Sequence, residues 1–148
     1  ITATGGVLSL SSAGLAKHFT DEEIQALVDT THSMGRKIAA HAHGTDGINA
    51  VLRAGIDSVE HGTYMDEESI RLFKAGKSWL VPTLLASATV MKNAKIPGFY
   101  HEFVARKALE AGPVRMQRFK IAVKEGVRVA FGTDSGVSPH GENWMEFP

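Results

Sequence analysis

Cysteine is missing from all 148 residues. That excludes a disulfide framework and any thiolate metal site, so a metal would have to be held by histidine or carboxylate. An excess of charge of either sign is missing too: 16 Lys and Arg stand against 16 Asp and Glu, for a formal net charge of zero. The electrostatic footprint of a nucleic-acid or anionic-membrane binder is therefore absent. No apolar run approaches the roughly 20 residues that cross a bilayer. No Gly-x-Gly-x-x-Gly fingerprint follows any strand-like run, which removes the commonest dinucleotide site. What is present is a globular composition, 43% hydrophobic and 22% charged, with seven histidines, at the length of one domain. The partner this composition favours is a small molecule, with no nucleic acid and no membrane.

Punctuation repeats along the chain. Thr20 with Glu23 three residues on is a capping box, and Ile24, Leu27 and Val28 form one apolar face, so the pattern predicts a helix from Thr20 to Met34 closed by Gly35. Lys37–His41 is a short apolar run that suits a buried parallel strand. A second helix carries Ile48, Val51 and Leu52 inward and stops at Gly55, and Asp57–Glu60 is the next strand. Asp66 caps a third helix, with Glu67 and Glu68 in its first turn and Gly76 as its stop, before a strand at Ser78–Val81. A less regular helical region covers about Tyr100 to Glu125, interrupted at Gly112-Pro113, and Gly126 leads into a strand at Val127–Phe131. The basic run Arg115, Arg118, Lys120, Lys124 has helical spacing and reads as a solvated face.

Strands alternating with helices imply an α/β fold with a parallel sheet, either doubly wound or a stretch of a (β/α)8 barrel. Polar residues at strand ends favour the barrel. His41 and His43, His61, and Asp134 each follow the end of a strand, and in a barrel successive strand ends ring one mouth. A lone strand-end histidine is more often a structural hydrogen-bonding residue, and Asp134 before Ser-Gly is ordinary turn chemistry. Their shared position in a repeating unit is what a purely structural role does not predict. Two imidazoles and a carboxylate suit a zinc-class ion, which lowers the pKa of bound water and polarises a carbonyl.

The segments KIAAHAHG, DSVEHGTYMD and VAFGTDSGVSPHGEN resemble the later strand motifs of the metal-dependent amidohydrolase superfamily. The likeness is strongest to its imidazolonepropionase-like branch, which includes zinc dipeptidases of the prolidase type. It covers nearly the whole chain and implies the part of a (β/α)8 barrel from the end of strand four to strand eight, so that residues 1–148 are one partial catalytic domain truncated at both ends. It also implies His41 and His61 as ligands of one zinc ion. Asp134 becomes a ligand of a second zinc ion and the catalytic proton shuttle for a metal-bridged hydroxide attacking a peptide or amide carbonyl. The family's first-strand His-x-His pair is not in these residues, and its strand-four lysine would immediately precede Ile1. His43, pointing to the mouth by strand alternation, together with Tyr64 and His140 in the following loops, is a substrate-binding candidate. Glu60 should point away from His61, into the helix layer or a salt bridge, and His18, His32 and His101 are expected to be merely solvated. The resemblance thus implies a zinc dipeptidase or carboxypeptidase that can form a homo-oligomer. Its alternatives are a single-metal cyclic-amide hydrolase or deaminase, and a barrel segment without catalysis.

Overall fold

The computed structural model describes residues 1–10 and 14–147. Its elements are α1 (Asp21–Ser33), β1 (Ala39–Ala42), α2 (Thr45–Ala54), β2 (Ser58–His61), α3 (Glu67–Ala75), β3 (Trp79–Val81), α4 (Leu84–Ala94) and α5 (Glu102–Lys124), then a short 3-10 helix (Asn143–Glu146). Pro148 lies outside the described residues.

The strands form a parallel sheet in the order β1-β2-β3, with His41 beside Glu60 and Glu60 beside Val81. Both edges are extended by single bridges. The His41 N–H donates to Ile1 O and the Ala3 N–H to His41 O, both at 2.9 Å; at the other edge the Leu80 N–H donates to Arg128 O and the Ala130 N–H to Leu80 O, also at 2.9 Å. Five parallel segments thus lie side by side in chain order, but the predicted strand at Val127–Phe131 is reduced to one bridge at Val129.

The first three helices follow from local chemistry. The Thr20 hydroxyl accepts from the Glu23 N–H while the Glu23 carboxylate accepts from the Thr20 N–H, and Asp66 with Ser69 repeats the arrangement on α3. Gly55 closes α2 with φ of 86°, a conformation an L side chain resists. The buried faces of these helices, including Ile24, Val28, Ile48, Val51 and Phe73, pack with Ala40, Ala42, Val59 and Leu80 of the sheet into one core. Each large side chain so buried contributes roughly 1.5–3 kcal/mol. The opposite face of the sheet is bare among the described residues: Ala39 and Trp79 are exposed, and Ser58 and Glu60 half-buried.

The second half departs from the sequence reading. α4 is a helix that no local signal announces, because Thr83 gives no side-chain cap; the Glu146 carboxylate, 62 residues away, instead accepts from the Leu84 and Leu85 N–H groups at 2.7 Å each. α5 runs unbroken through Gly112-Pro113. Pro113 faces solvent, where water can serve the carbonyl its ring leaves unpaired, and a side chain at Gly112 would place its Cβ 1.8 Å from Met91 Sδ of α4. Glycine there permits the close approach of the two helices.

Candidate active site

The chemically interesting residues of the chain's repeat stand at or just past the C-terminal ends of extended segments. His41 is the penultimate residue of β1 with His43 just after the strand, His61 ends β2, Thr83 follows β3, and Asp134 follows the bridged segment at Val129. Among the described residues, the non-glycine positions with positive φ are His61 (76°), Thr83 (48°) and Asp134 (50°), all at this edge. A β-branched threonine in that region is a costly conformation, and such strain concentrates where function imposes a geometry. Positive φ at His61 also turns its side chain out of simple strand alternation.

His41, His43, His61 and Asp134 line one cavity of about 310 Å³, whose polar wall also includes Arg115 and whose apolar wall includes Val7, Ala86, Val90, Ala108 and Val137. The three imidazoles are in contact. The His43 and His61 rings stack, with centroids 4.6 Å apart and planes 3° from parallel, and His61 Nε2 lies 3.0 Å from His41 Nδ1. One ring nitrogen from each histidine falls within 4.8 Å of the others. Behind them stands a second layer: His61 Nδ1 is 2.7 Å from the Thr83 hydroxyl, and His43 Nδ1 is 2.7 Å from the Thr63 hydroxyl. The His41 Nε2 is buried with no hydrogen-bond partner.

Burial keeps the site's histidines neutral. It lowers His61 to about 3, with help from the Arg115 and His41 charges, and lowers His43 well below its ordinary value, reinforced by His61 and Arg115. His41 is also lowered by burial, against opposing effects from the Gly5 backbone and the Asp134 carboxylate. Neutral imidazoles retain the lone pair that a metal requires.

Arg115 belongs to this site, which corrects the reading of its basic run as a solvated face. It is 6% exposed. Its Nε donates to Thr63 Oγ1 at 3.0 Å, Nη1 to Thr83 O and Oγ1 at 3.4 Å, and Nη2 to His43 Nδ1 at 3.2 Å. Burial pulls its pKa down to about 10, against the attraction of Asp134 and Glu146, so it is a cation at neutral pH. A signal for this was present: Val104, Ala108, Ala111 and Ala122 are the buried stripe of α5, and Arg115 falls on the same stripe.

Other positions differ from expectation. Glu60 lies on the bare sheet face in register with His41, not in the helix layer, and accepts from Ser58 Oγ at 2.7 Å. His18, His32 and His101 each make a structural contact: His18 to Thr2 O at 3.2 Å, His32 to the Asp57 carboxylate at 2.8 Å, and His101 as acceptor for the Phe103 N–H at the start of α5. Tyr64 and His140 do not line the cavity. The half-buried Tyr64 ties its loop down through its backbone, donating from N–H to His43 O at 2.9 Å and accepting from Thr45 Oγ1 at 2.7 Å; His140 is exposed.

The profile of the amidohydrolase family matches residues 1–147. Ochratoxinase of Aspergillus niger is 31% identical over 146 residues, which cover 99% of this chain and 30% of that protein. A Xaa-Pro dipeptidase, solved with methionine bound in its active site, is 44% identical with a TM-score of 0.94, covering 99% of this chain and 36% of that one. A prolidase solved with N-methylphosphonate-L-proline is 27% identical with a TM-score of 0.79, over 90% of this chain and 32% of the other. The chain therefore spans about a third of the length of the proteins it matches.

Proposed function

This chain belongs to the amidohydrolase family, and from that premise we propose that residues 1–148 are one arc of a (β/α)8 catalytic domain, strand four's end to strand eight, whose mouth hydrolyses a C–N bond in a dipeptide or amide. The bare sheet face supports the barrel, because parallel strands are stable when both faces are covered. Ala39, Ser58, Glu60 and Trp79 would then be its interior. The observation that carries the function is the convergence of His41, His43, His61 and Asp134 on one cavity.

The donor set fits a zinc-class cation. His41 offers a buried, unpartnered Nε2, and His61 can donate Nδ1–H to the Thr83 hydroxyl, the arrangement that leaves a ligating imidazole with an unprotonated Nε2; a cation there would replace the contact that Nε2 makes with His41 Nδ1. His41, His61 and Asp134 are the proposed ligands, in a complete site holding two zinc ions. The bound cations supply Lewis-acid activation of the water and of the scissile carbonyl. Asp134 accepts the proton of the attacking water as its oxygen adds to the carbonyl carbon, then delivers it to the nitrogen as the C–N bond breaks. Arg115 adds positive potential at the cavity wall, favouring a substrate carboxylate. Tyr64 and His140, in the loops that follow β2 and Asp134, are proposed as rim contacts to the same substrate.

The test is metal analysis of the full-length polypeptide together with hydrolysis of Xaa-Pro dipeptides and of N-acyl amino acids. Two equivalents of zinc with turnover of either substrate support the reading. One equivalent would shift it to a single-metal cyclic-amide hydrolase or deaminase, and no metal with no turnover would leave a barrel without catalysis.

A further inference from the structure

The three histidines of the cavity look equivalent by proximity, yet their hydrogen bonds separate them. A guanidinium nitrogen can only donate. Arg115 Nη2 donates to His43 Nδ1 at 3.2 Å, so that nitrogen is an acceptor and carries no proton. The Thr63 hydroxyl agrees: it accepts from Arg115 Nε at 3.0 Å, which leaves its own proton free to reach His43 Nδ1 at 2.7 Å. A neutral imidazole with an unprotonated Nδ1 carries its proton on Nε2, and a protonated nitrogen has no lone pair for a metal. His61 lacks this constraint, since Arg115 bonds to its Thr83 partner and not to the ring.

We infer that Arg115 is a positioning residue that fixes His43 as the Nε2–H tautomer, making His43 a hydrogen-bond donor to a substrate oxygen and excluding it from the metal ligands. The whole device is enclosed. His43 is 3% exposed, Thr63 0% and Arg115 6%, so water does not compete for Nδ1. Nε2 is the ring's remaining polar atom, on a ring that lines the cavity. A fixed N–H on a ring that lines the cavity suits an oxygen gaining negative charge as an amide carbonyl is attacked. The tautomer follows from this chain's hydrogen bonds alone; the role toward substrate rests on the hydrolase reading above.

Long-range proton–nitrogen NMR of the metal-free full-length polypeptide reads the tautomer directly, with the His43 signals assigned by their loss in His43→Gln. The expected result is a proton on Nε2 of His43; a proton on Nδ1 overturns the inference. In Arg115→Lys, which keeps the charge but loses the fork, the Nε2–H form should give way to a mixture, and an unchanged spectrum overturns the positioning role. Zinc content separates the histidines: His43→Gln should hold as much zinc as the wild type and His61→Gln should lose at least one equivalent, whereas equal losses would make His43 a ligand. His43→Ala should lower kcat/KM about 100-fold and His43→Gln, whose amide keeps an N–H near the Nε2 position, should recover most of it; equal activity of the two would overturn the donor role. A His43 Nε2 proton in a polypeptide that binds no zinc and hydrolyses neither substrate class would support the tautomer and overturn the hydrolase reading alone.

Discussion

Helices α1 to α3 and helices α4 and α5 are held by different means. In the first group each helix carries its own instructions: the Thr20–Glu23 and Asp66–Ser69 boxes cap two of them within three residues, and Gly55 ends the third. In the second group the determinants come from afar. α4 takes its N-terminal acceptor from Glu146, α5 contains Pro113 and fits against Met91 through Gly112, and the buried Arg115 of α5 reaches across to the ends of β2 and β3. The first group builds the core and the second furnishes the cavity. Local self-sufficiency suits a scaffold, while residues that converge on a site must be fixed by one another.

Arg115 offers the sharpest way to break this contrast. Replacing it with Met keeps much of the stem but strips its donors from the Thr63 and Thr83 hydroxyls and His43, so stability in denaturant titration should fall by about 2–3 kcal/mol. Lys120→Met, from the same basic run but exposed, should change stability by less than about 0.5 kcal/mol. Equal effects would return Arg115 to the solvated face that the spacing suggests.

The remote cap of α4 and the local cap of α1 differ in what their loss exposes. Glu146→Ala should cost about 1–2 kcal/mol and raise amide exchange at Leu84 and Leu85, because two N–H groups and the favourable end of the helix lose a carboxylate. Thr20→Ala should cost about 1 kcal/mol and accelerate exchange only at the start of α1. If Glu146→Ala left the α4 amides as protected as before, the remote cap would be incidental.

The smallest expected effect probes the first group through pH. Burial raises the Asp57 carboxyl, and hydrogen bonds from Lys37, His32 and the Ile38 N–H outweigh it, holding its pKa at about 2. A depressed carboxylate stabilises the fold fully above its ordinary 3.8 and loses that contribution as pH falls toward 2. With Lys37 and His32 exposed at 86% and 40%, solvent screening limits the loss to the order of 1 kcal/mol. Asp57→Asn should flatten the stability profile over that interval, and an unaltered slope would mean other carboxylates govern it.

Much of this architecture was legible in the sequence because its signals are short-range. Capping boxes, glycine stops and apolar runs act over three or four residues, and they place the first three helices and strands to within a residue or two. The recurrence of His41, His61 and Asp134 after strand ends was equally visible, since parallel repeats put equivalent positions at one edge. α4 was not legible, for its cap lies 62 residues downstream. Nor was Glu60, whose face depends on which side of the sheet the helices cover.

By itself the sequence determined the alternation of helix and strand, the absence of thiolate chemistry and the set of residues able to meet at one edge, because periodicity, capping and composition are properties of neighbouring residues. Tertiary structure alone decided that Arg115 is buried among Thr63, Thr83 and His43, and that Thr83 adopts positive φ to receive His61. Those outcomes depend on distances between segments far apart in the chain, and a donor's effect on an imidazole exists only once packing has brought the two within about 3 Å.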